Sequence, residues 1–490
     1  MIILTEPKSL DPSMANDITT GVITGLMYDN LVQFGTGSDI HPGLARSWHI
    51  SEDGLVYTFQ LRDSVRFWDG RLLTAQDVAY SFHRTLHPES RSSMTWLLDP
   101  INGAMDYMQG KADSITGIRV IGSHNIELTL SKPFAPFIGF LAVPATAVVP
   151  YKEGDPIQLE LKDKPLGTGP WVFDDWQADR IVSFKKNPEY FMGPPLLDGI
   201  ILNNMPEVLT QAIEFEAGNI DILTIPNSEF KYWTHSKVWQ PYIQKMEELG
   251  MYYLAMNVER PPFTDKRVRQ AVTYAIDREK IIHRILHNSA SLARGPIPPG
   301  LEGYDSTRVP LTYDPQMAKQ LLAEAGYLEG CEFDLWVDPA AAVSQTVEAI
   351  HHYLSESGFK VNLVRNDWNM MRDAMRKGKT DAYWGNWWAD YADAENFLAP
   401  LFHSKNSSLR NRYDNPEVDR KIEELQQSLD QKERIQLAMN IDSTLIEEAP
   451  YAFLWYPTSY TVAQPTLKNF VVHQMYFANK YTSVYFEEQE

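Results

Sequence analysis

Cysteine is almost missing from this chain of 490 residues: Cys331 is the only one. A single thiol cannot close an intrachain disulfide, and neither a cysteine-ligated zinc site nor an iron–sulfur cluster can be built on it. Such usage suits the cytoplasm and a disulfide-poor cell exterior equally. Positive charge is also scarce. Lys and Arg number 44 against 64 Asp and Glu, a formal net charge of −20. Phosphate binding needs the opposite balance, so no nucleic-acid partner and no polybasic membrane surface are expected. Long hydrophobic runs are absent too. The longest, Phe137 to Val149, contains Pro144 and is shorter than the ~18–20 residues of a spanning helix, so it reads as core. The N-terminus MIILTEPKSLDP carries no basic n-region, no long apolar stretch and no lipobox cysteine. The expectation is either a cytosolic protein or one whose export signal has been removed.

Catalytic signatures are equally thin. Gly-x-Ser-x-Gly, His-Glu-x-x-His and the P-loop pattern do not occur. Gly167-Thr168-Gly169-Pro170 is a turn rather than a phosphate cradle, because no helix pattern follows it. Ser183…Lys186 and Ser228…Lys231 match Ser-x-x-Lys without the companion motifs of a β-lactamase. Asp174-Asp175 and the acids near residue 390 would suit a glycosidase, but carboxylate pairs arise easily in a chain with 64 acids. His283 and His287, four apart on a predicted helix, lack a third ligand in reach, and His351-His352 side chains diverge. No metal, no cofactor and no enzymatic activity are expected.

What is present is aromatic and mixed. Aromatics make up 12% of the chain, and its length exceeds what one core supports, so two or three lobes are expected. Alternation at Leu55, Tyr57, Phe59 and Leu61 predicts a strand. Thr74 with Asp77 predicts a capped helix start, and Asp265, Asp314-Pro315 and Asn415-Pro416 predict three more. Leu437, Ile441 and Leu445 mark a last long helix ending before Pro450. Strand-like segments lie at 181–184, 199–202, 251–256, 333–337, 360–364 and 451–455. The layout is α/β or α+β.

The most informative stretch is GNWWADYADAENF, Gly385 to Phe397. It sets Asp390, Asp393 and Glu395 among Trp384, Trp387, Trp388, Tyr391 and Phe397. Aromatic walls around a carboxylate suit a small cation such as a peptide N-terminus. A core strand with a polar exit accounts for the same composition.

Seven stretches, in order along the chain, together resemble the dipeptide/oligopeptide- and nickel-binding family of ABC-transporter solute-binding proteins. They are SLDP (Ser9–Pro12) leading to YDNLVQF, GLARSWHISEDG running into YTFQLRDSVRFWDGRLLTAQDVAYSFHR, GTGPWVFDDW, KKNPEYF, MNVERPPFTDKRVRQAVTYAIDREKII, YDPQMAKQLLAEAGY and WWADYADAENFLAPLFHS. The chain is most like an oligopeptide-binding protein. The resemblance implies an α/β two-lobe, periplasmic-binding-protein-like clamshell with three domains. Residues 1–38, 165–245 and 463–490 would form lobe one, 39–164 an inserted extra domain, and 246–462 lobe two. Chain crossings near 245–250 and 456–464 would be the hinge, and closure would bury an extended short peptide between the lobes.

The resemblance also implies roles. Asp390 occupies the place of the family aspartate that pairs with the peptide α-ammonium, and Trp387 and Trp388 would shape the adjoining pocket. The proline that often follows the second aspartate in the family is Ala394 here. Main-chain pairing to the ligand is expected from Val32, Gln33 and Phe34 and from a segment near Phe402–Asn406 or beyond. The ligand carboxylate wants a cation among Arg365, Arg372, Arg376, Arg410 and Arg412, with Arg365 the choice. The expected partners are short peptides and an ABC-transporter membrane permease, and the expected state is a monomer. Location would be extracytoplasmic, as a cell-surface lipoprotein or in a periplasm, with membrane association only through an N-terminal anchor missing here. Two alternatives stay open: the same scaffold holding a nickel chelate, heme, opine or oligosaccharide, and the ligand-sensing domain of a cytosolic regulator.

Overall fold

The computed structural model describes residues 1–339 and 344–487. The chain forms two compact units, Met1–Met246 with Tyr460–Glu490, and Glu247–Ser459. Both mix helices and strands.

In the first unit, one four-stranded sheet runs in the order Ile2–Ile3, Gly199–Asn204, Ile181–Lys186, Trp171–Gln177. Tyr28, Trp171 and Phe184 are buried in the cluster it supports. A second sheet, Ala45–Ile50, Val56–Leu61, Asn125–Thr129 and Ile118–Ile121 in spatial order, is antiparallel throughout. The predicted alternation holds, since Tyr57, Phe59 and Leu61 are all buried. Helix Ala75–Leu86 starts at Thr74, whose backbone N–H donates to Asp77 at 2.7 Å. Asp77 is fully buried and also accepts from the Tyr151 N–H at 2.7 Å and pairs with Arg71 at 2.6 Å. One carboxylate therefore caps the helix and ties a distant loop to it.

The second unit is built on a sheet in the order 451–457, Gly250–Met256, Ala382–Trp388, Cys331–Val337, Phe359–Arg365. The central strand GMYYLAM is an apolar run buried on both faces, as a strand covered on both sides requires. Helices Lys266–Ala275, Pro315–Glu324, Pro416–Gln427 and Gln431–Glu448 begin at Asp265, Asp314, Asn415 and Asp430, each accepting a first-turn backbone N–H. Strand Tyr451–Ala463 returns the chain to the first unit, where Thr461–Ala463 pair with Ile222–Thr224.

One expectation is corrected. Phe402–Asn406 is not extended: Glu395–Phe402 and Ser404–Ser407 are helical, and the Asn406 N–H donates to the His403 carbonyl at 2.8 Å. Main-chain groups already spent in helical turns cannot also add a strand. No described helix is long and apolar enough to cross a membrane.

Candidate functional site

Strand Ala382–Trp388 pairs along its whole length with Gly250–Met256, from Met256↔Ala382 to Gly250↔Trp388. Side chains alternate across a strand. Trp384 and Trp388 therefore share one face with Tyr252, their ring centroids 5.5 and 5.3 Å from it. Tyr383, Gly385 and Trp387 take the other face. Gly385 is needed there because a Cβ would lie 2.5 Å from the Tyr253 ring. So Trp387 and Trp388, adjacent in sequence, do not wall one pocket. Trp388 donates its indole N–H to Glu248 at 2.6 Å.

Beyond the strand, a short loop leads into helix Glu395–Phe402. The three acids of this segment meet different fates. Asp393 is ion-paired with Arg434 at 2.6 Å and accepts the Glu395 N–H at 2.9 Å. Glu395 is buried and accepts from the Tyr391 hydroxyl and from Gln426 (2.6 Å), so both carboxyl oxygens are occupied. Burial pushes its carboxyl up to about 7, against the Tyr391 and Gln426 hydrogen bonds and the Arg434 charge, which lower it. Asp390 alone lacks a strong partner. Among the described residues its carboxylate accepts only a long 3.5 Å contact from the Asn396 amide. Burial raises its pKa, and the Asn396 bond and the charge of Arg410 only partly offset this.

Asn396, 1% exposed, is the organiser that sequence reasoning missed. Its Oδ1 accepts both the Asp390 N–H at 3.0 Å and the Trp387 indole N–H at 3.2 Å. Two donors on one atom fix which end of the amide is oxygen. They also hold the Trp387 ring against the residue that bears the carboxylate. On Trp387 lies Arg410, its guanidinium carbon 4.9 Å from the ring centroid. Arg410 forms no salt bridge among the described residues, and its charge interacts with Tyr253, Tyr383 and Tyr451 and with Asp390. The site thus joins one unneutralised carboxylate and one guanidinium on a single indole. Two residues from the C-terminus of strand Ala382–Trp388, Asp390 sits where ligands of α/β sheets gather. Arg365 ends strand Phe359–Arg365 two strands away, exposed. Among the described residues no group of His, Cys, Asp and Glu is arranged to hold a metal.

Val32, Gln33 and Phe34 lie in the first unit. They form a strand paired on one edge with Ile40–Pro42. Val32 and Phe34 point into the core, so only main chain and Gln33 are available on this strand. Beside it opens a small cleft lined by Gln33, Phe34, Asp29 and Lys480 among others. Asp29, 3% exposed, anchors this corner by accepting from Thr168 (2.8 Å), Tyr190 (3.0 Å) and Lys480 (2.8 Å).

The family profile described as "Bacterial extracellular solute-binding proteins, family 5 Middle" matches residues 39–408. The chain is 31% identical over 472 residues to heme-binding protein A of Haemophilus influenzae, covering 91% of this chain and 84% of that protein. It is 26% identical over 492 residues to the dipeptide-binding protein of Escherichia coli, covering 95% and 90%. Among solved structures it resembles the ABC transporter-associated periplasmic binding protein DppA from Helicobacter pylori in complex with peptide STSA. That match has a TM-score of 0.80 at 28% identity and covers 99% of this chain and 96% of that one.

Proposed function

The chain belongs to family 5 of the bacterial extracellular solute-binding proteins, the receptors of ABC importers, and on that premise we propose that it takes short peptides by a free α-ammonium on Asp390. One observation supports this reading: of the three acids around the Trp387 loop, Asp390 alone is desolvated with neither a salt bridge nor a strong donor among the described residues. A half-buried carboxylate partly stripped of water is costly, and an ammonium bound there repays the desolvation. Trp387 supplies the apolar wall. Arg410, rather than the exposed Arg365, receives the ligand carboxylate, because it shares that wall and forms no salt bridge among the described residues. The protein is then a receptor with no chemistry of its own, working outside the cytoplasm with a membrane permease.

The test is mass spectrometry of ligand released by denaturing purified wild type and Asp390→Ala, followed by titration with free and N-acetylated peptides. Short peptides retained by the wild type, lost from the variant and abolished by acetylation are expected. Removing one partner of a buried ion pair costs about 3–5 kcal/mol, a loss of a few hundred- to several thousand-fold in affinity. A second reading, heme or a metal chelate on the same scaffold, is favoured by the likeness to heme-binding protein A. It predicts a ligand set unchanged by Asp390→Ala.

A further inference from the structure

The second unit contains a small, partly open pocket that the reading above does not use. Two arginines line it, Arg278 and Arg294, and no acidic side chain does. Arg278 is 3% exposed. Its guanidinium donates to the carbonyls of Phe453 (2.6 Å) and Leu311. Arg294 is half-buried and donates to the Arg308 carbonyl. Carbonyl oxygens satisfy N–H groups but do not neutralise charge, and neither arginine has a carboxylate within salt-bridge distance among the described residues. The neighbouring arginine shows the contrast: Arg308 is paired with both Asp442 and Asp305. Thr273, 5% exposed on helix Lys266–Ala275, adds to the lining a hydroxyl with no hydrogen-bond partner among the described residues.

Two positive charges held in one pocket with no counter-ion, in a chain of net charge −20, are an expensive arrangement that a bound anion relieves. Each guanidinium has five N–H donors in a planar fork, and the carbonyl bonds given above use two of those on Arg278 and one on Arg294. What remains suits the several acceptor oxygens of a tetrahedral oxyanion better than a monatomic ion. Burial lowers the Arg278 pKa to about 10, against Glu279 and Tyr456, which raise it; this fits a charge without a direct partner.

We infer that Arg278, Arg294 and Thr273 form a site for a small inorganic oxyanion, phosphate or sulfate. The anion joins helix Lys266–Ala275 to the segments before Gly295 and after Pro450. The inference is independent of what binds at Asp390. The experiment is isothermal titration of the whole protein with potassium phosphate and, separately, potassium sulfate, each against potassium chloride at matched ionic strength. Thermal unfolding is followed in the same series. Wild type should show saturable binding and a matching rise in Tm with at least one oxyanion. A response to phosphate that strengthens from pH 6 to pH 8, beside a flat sulfate response, would mark phosphate; equal responses would mark sulfate and phosphate alike. Arg294→Gln should weaken binding at least tenfold, Thr273→Val by less, and the exposed-surface control Arg46→Gln not at all. The inference is overturned if wild type shows no saturable binding beyond the chloride control. Equal responses from wild type and Arg294→Gln would also overturn it, since they would mean general salt exclusion. Saturation by chloride alone would refute the oxyanion assignment.

Discussion

Glu395→Gln should flatten a pH dependence that the second unit carries beneath its site. In the folded protein the Glu395 carboxyl is pushed up to about 7 from an ordinary 4.5, chiefly by burial, with Asp393 adding to the rise. Tyr391, Gln426 and Arg434 pull the other way. The group is fully enclosed, so solvent screening does not discount the effect. The folded state holds this proton more tightly than the unfolded state does. Its stabilising contribution is therefore complete below about pH 4.5, falls as pH rises, and is gone above about pH 7. A difference of about 2.5 pKa units is worth roughly 3 kcal/mol. For a unit of this size each kcal/mol moves Tm by roughly 2–4 °C, so the expected loss between pH 5 and pH 8 is roughly 6–12 °C. Glutamine keeps the shape and an acceptor for Tyr391 but cannot ionise. Differential scanning calorimetry of wild type and variant at pH 5, 6, 7 and 8 reads the difference directly. The gap between the two proteins should widen in favour of the variant as pH rises. Parallel Tm profiles across that range would refute the argument that Glu395 is desolvated without full compensation.

Two further outcomes follow from single residues. Asn396→Leu removes the acceptor shared by the Asp390 N–H and the Trp387 indole; leaving buried donors unpaired costs about 1–3 kcal/mol, so calorimetric titration should show affinity for free-amine peptides falling tenfold or more while the far-UV circular dichroism spectrum is unchanged. Asp29→Ala strands the Lys480 ammonium, 16% exposed, beside the strand Val32–Phe34; breaking such a pair costs about 3–5 kcal/mol, and a Tm of the first unit's transition equal to wild type would contradict the anchoring role given to Asp29.

Helix starts were readable because their chemistry is local. Thr74 with Asp77, and Asp265, Asp314 and Asn415, each satisfy first-turn amides two or three residues ahead, and all four begin helices where the sequence places them. Four strands of the second unit were readable from apolar runs to within two residues at most boundaries, although the last extends to Ala463; Ala290–Leu292 and Ala382–Trp388 were not among the strand segments read from the sequence. The opposite facing of Trp387 and Trp388 needed only the two-residue period, once the segment was taken as a strand. Phe402–Asn406 was misplaced because a segment's position relative to a motif says nothing of its own hydrogen bonding. Its helical pairing is set by its own turns and by Asp419, which accepts the Ser404 N–H at 2.9 Å.

The sorting of the three acids was beyond any local reading, and the proposed function depends on it. In the sequence, Asp390, Asp393 and Glu395 are equivalent candidates within six residues. What separates them comes from elsewhere: Arg434, 41 residues on, neutralises Asp393, and Gln426, 31 residues on, satisfies Glu395. Asn396 is near in sequence, yet it spends its oxygen on an amide and an indole and leaves Asp390 only a long contact. Long-range partners thus remove two of the three negative charges from competition and leave the third beside an indole and a guanidinium. An acid that sequence resemblance merely nominates becomes, by this division of partners, the position in the segment to which the proposed ammonium is assigned. Arg410 follows the same rule in the opposite sign: thirteen residues beyond Phe397 it reads as one surface charge among five arginines, and only its placement on the Trp387 ring distinguishes it.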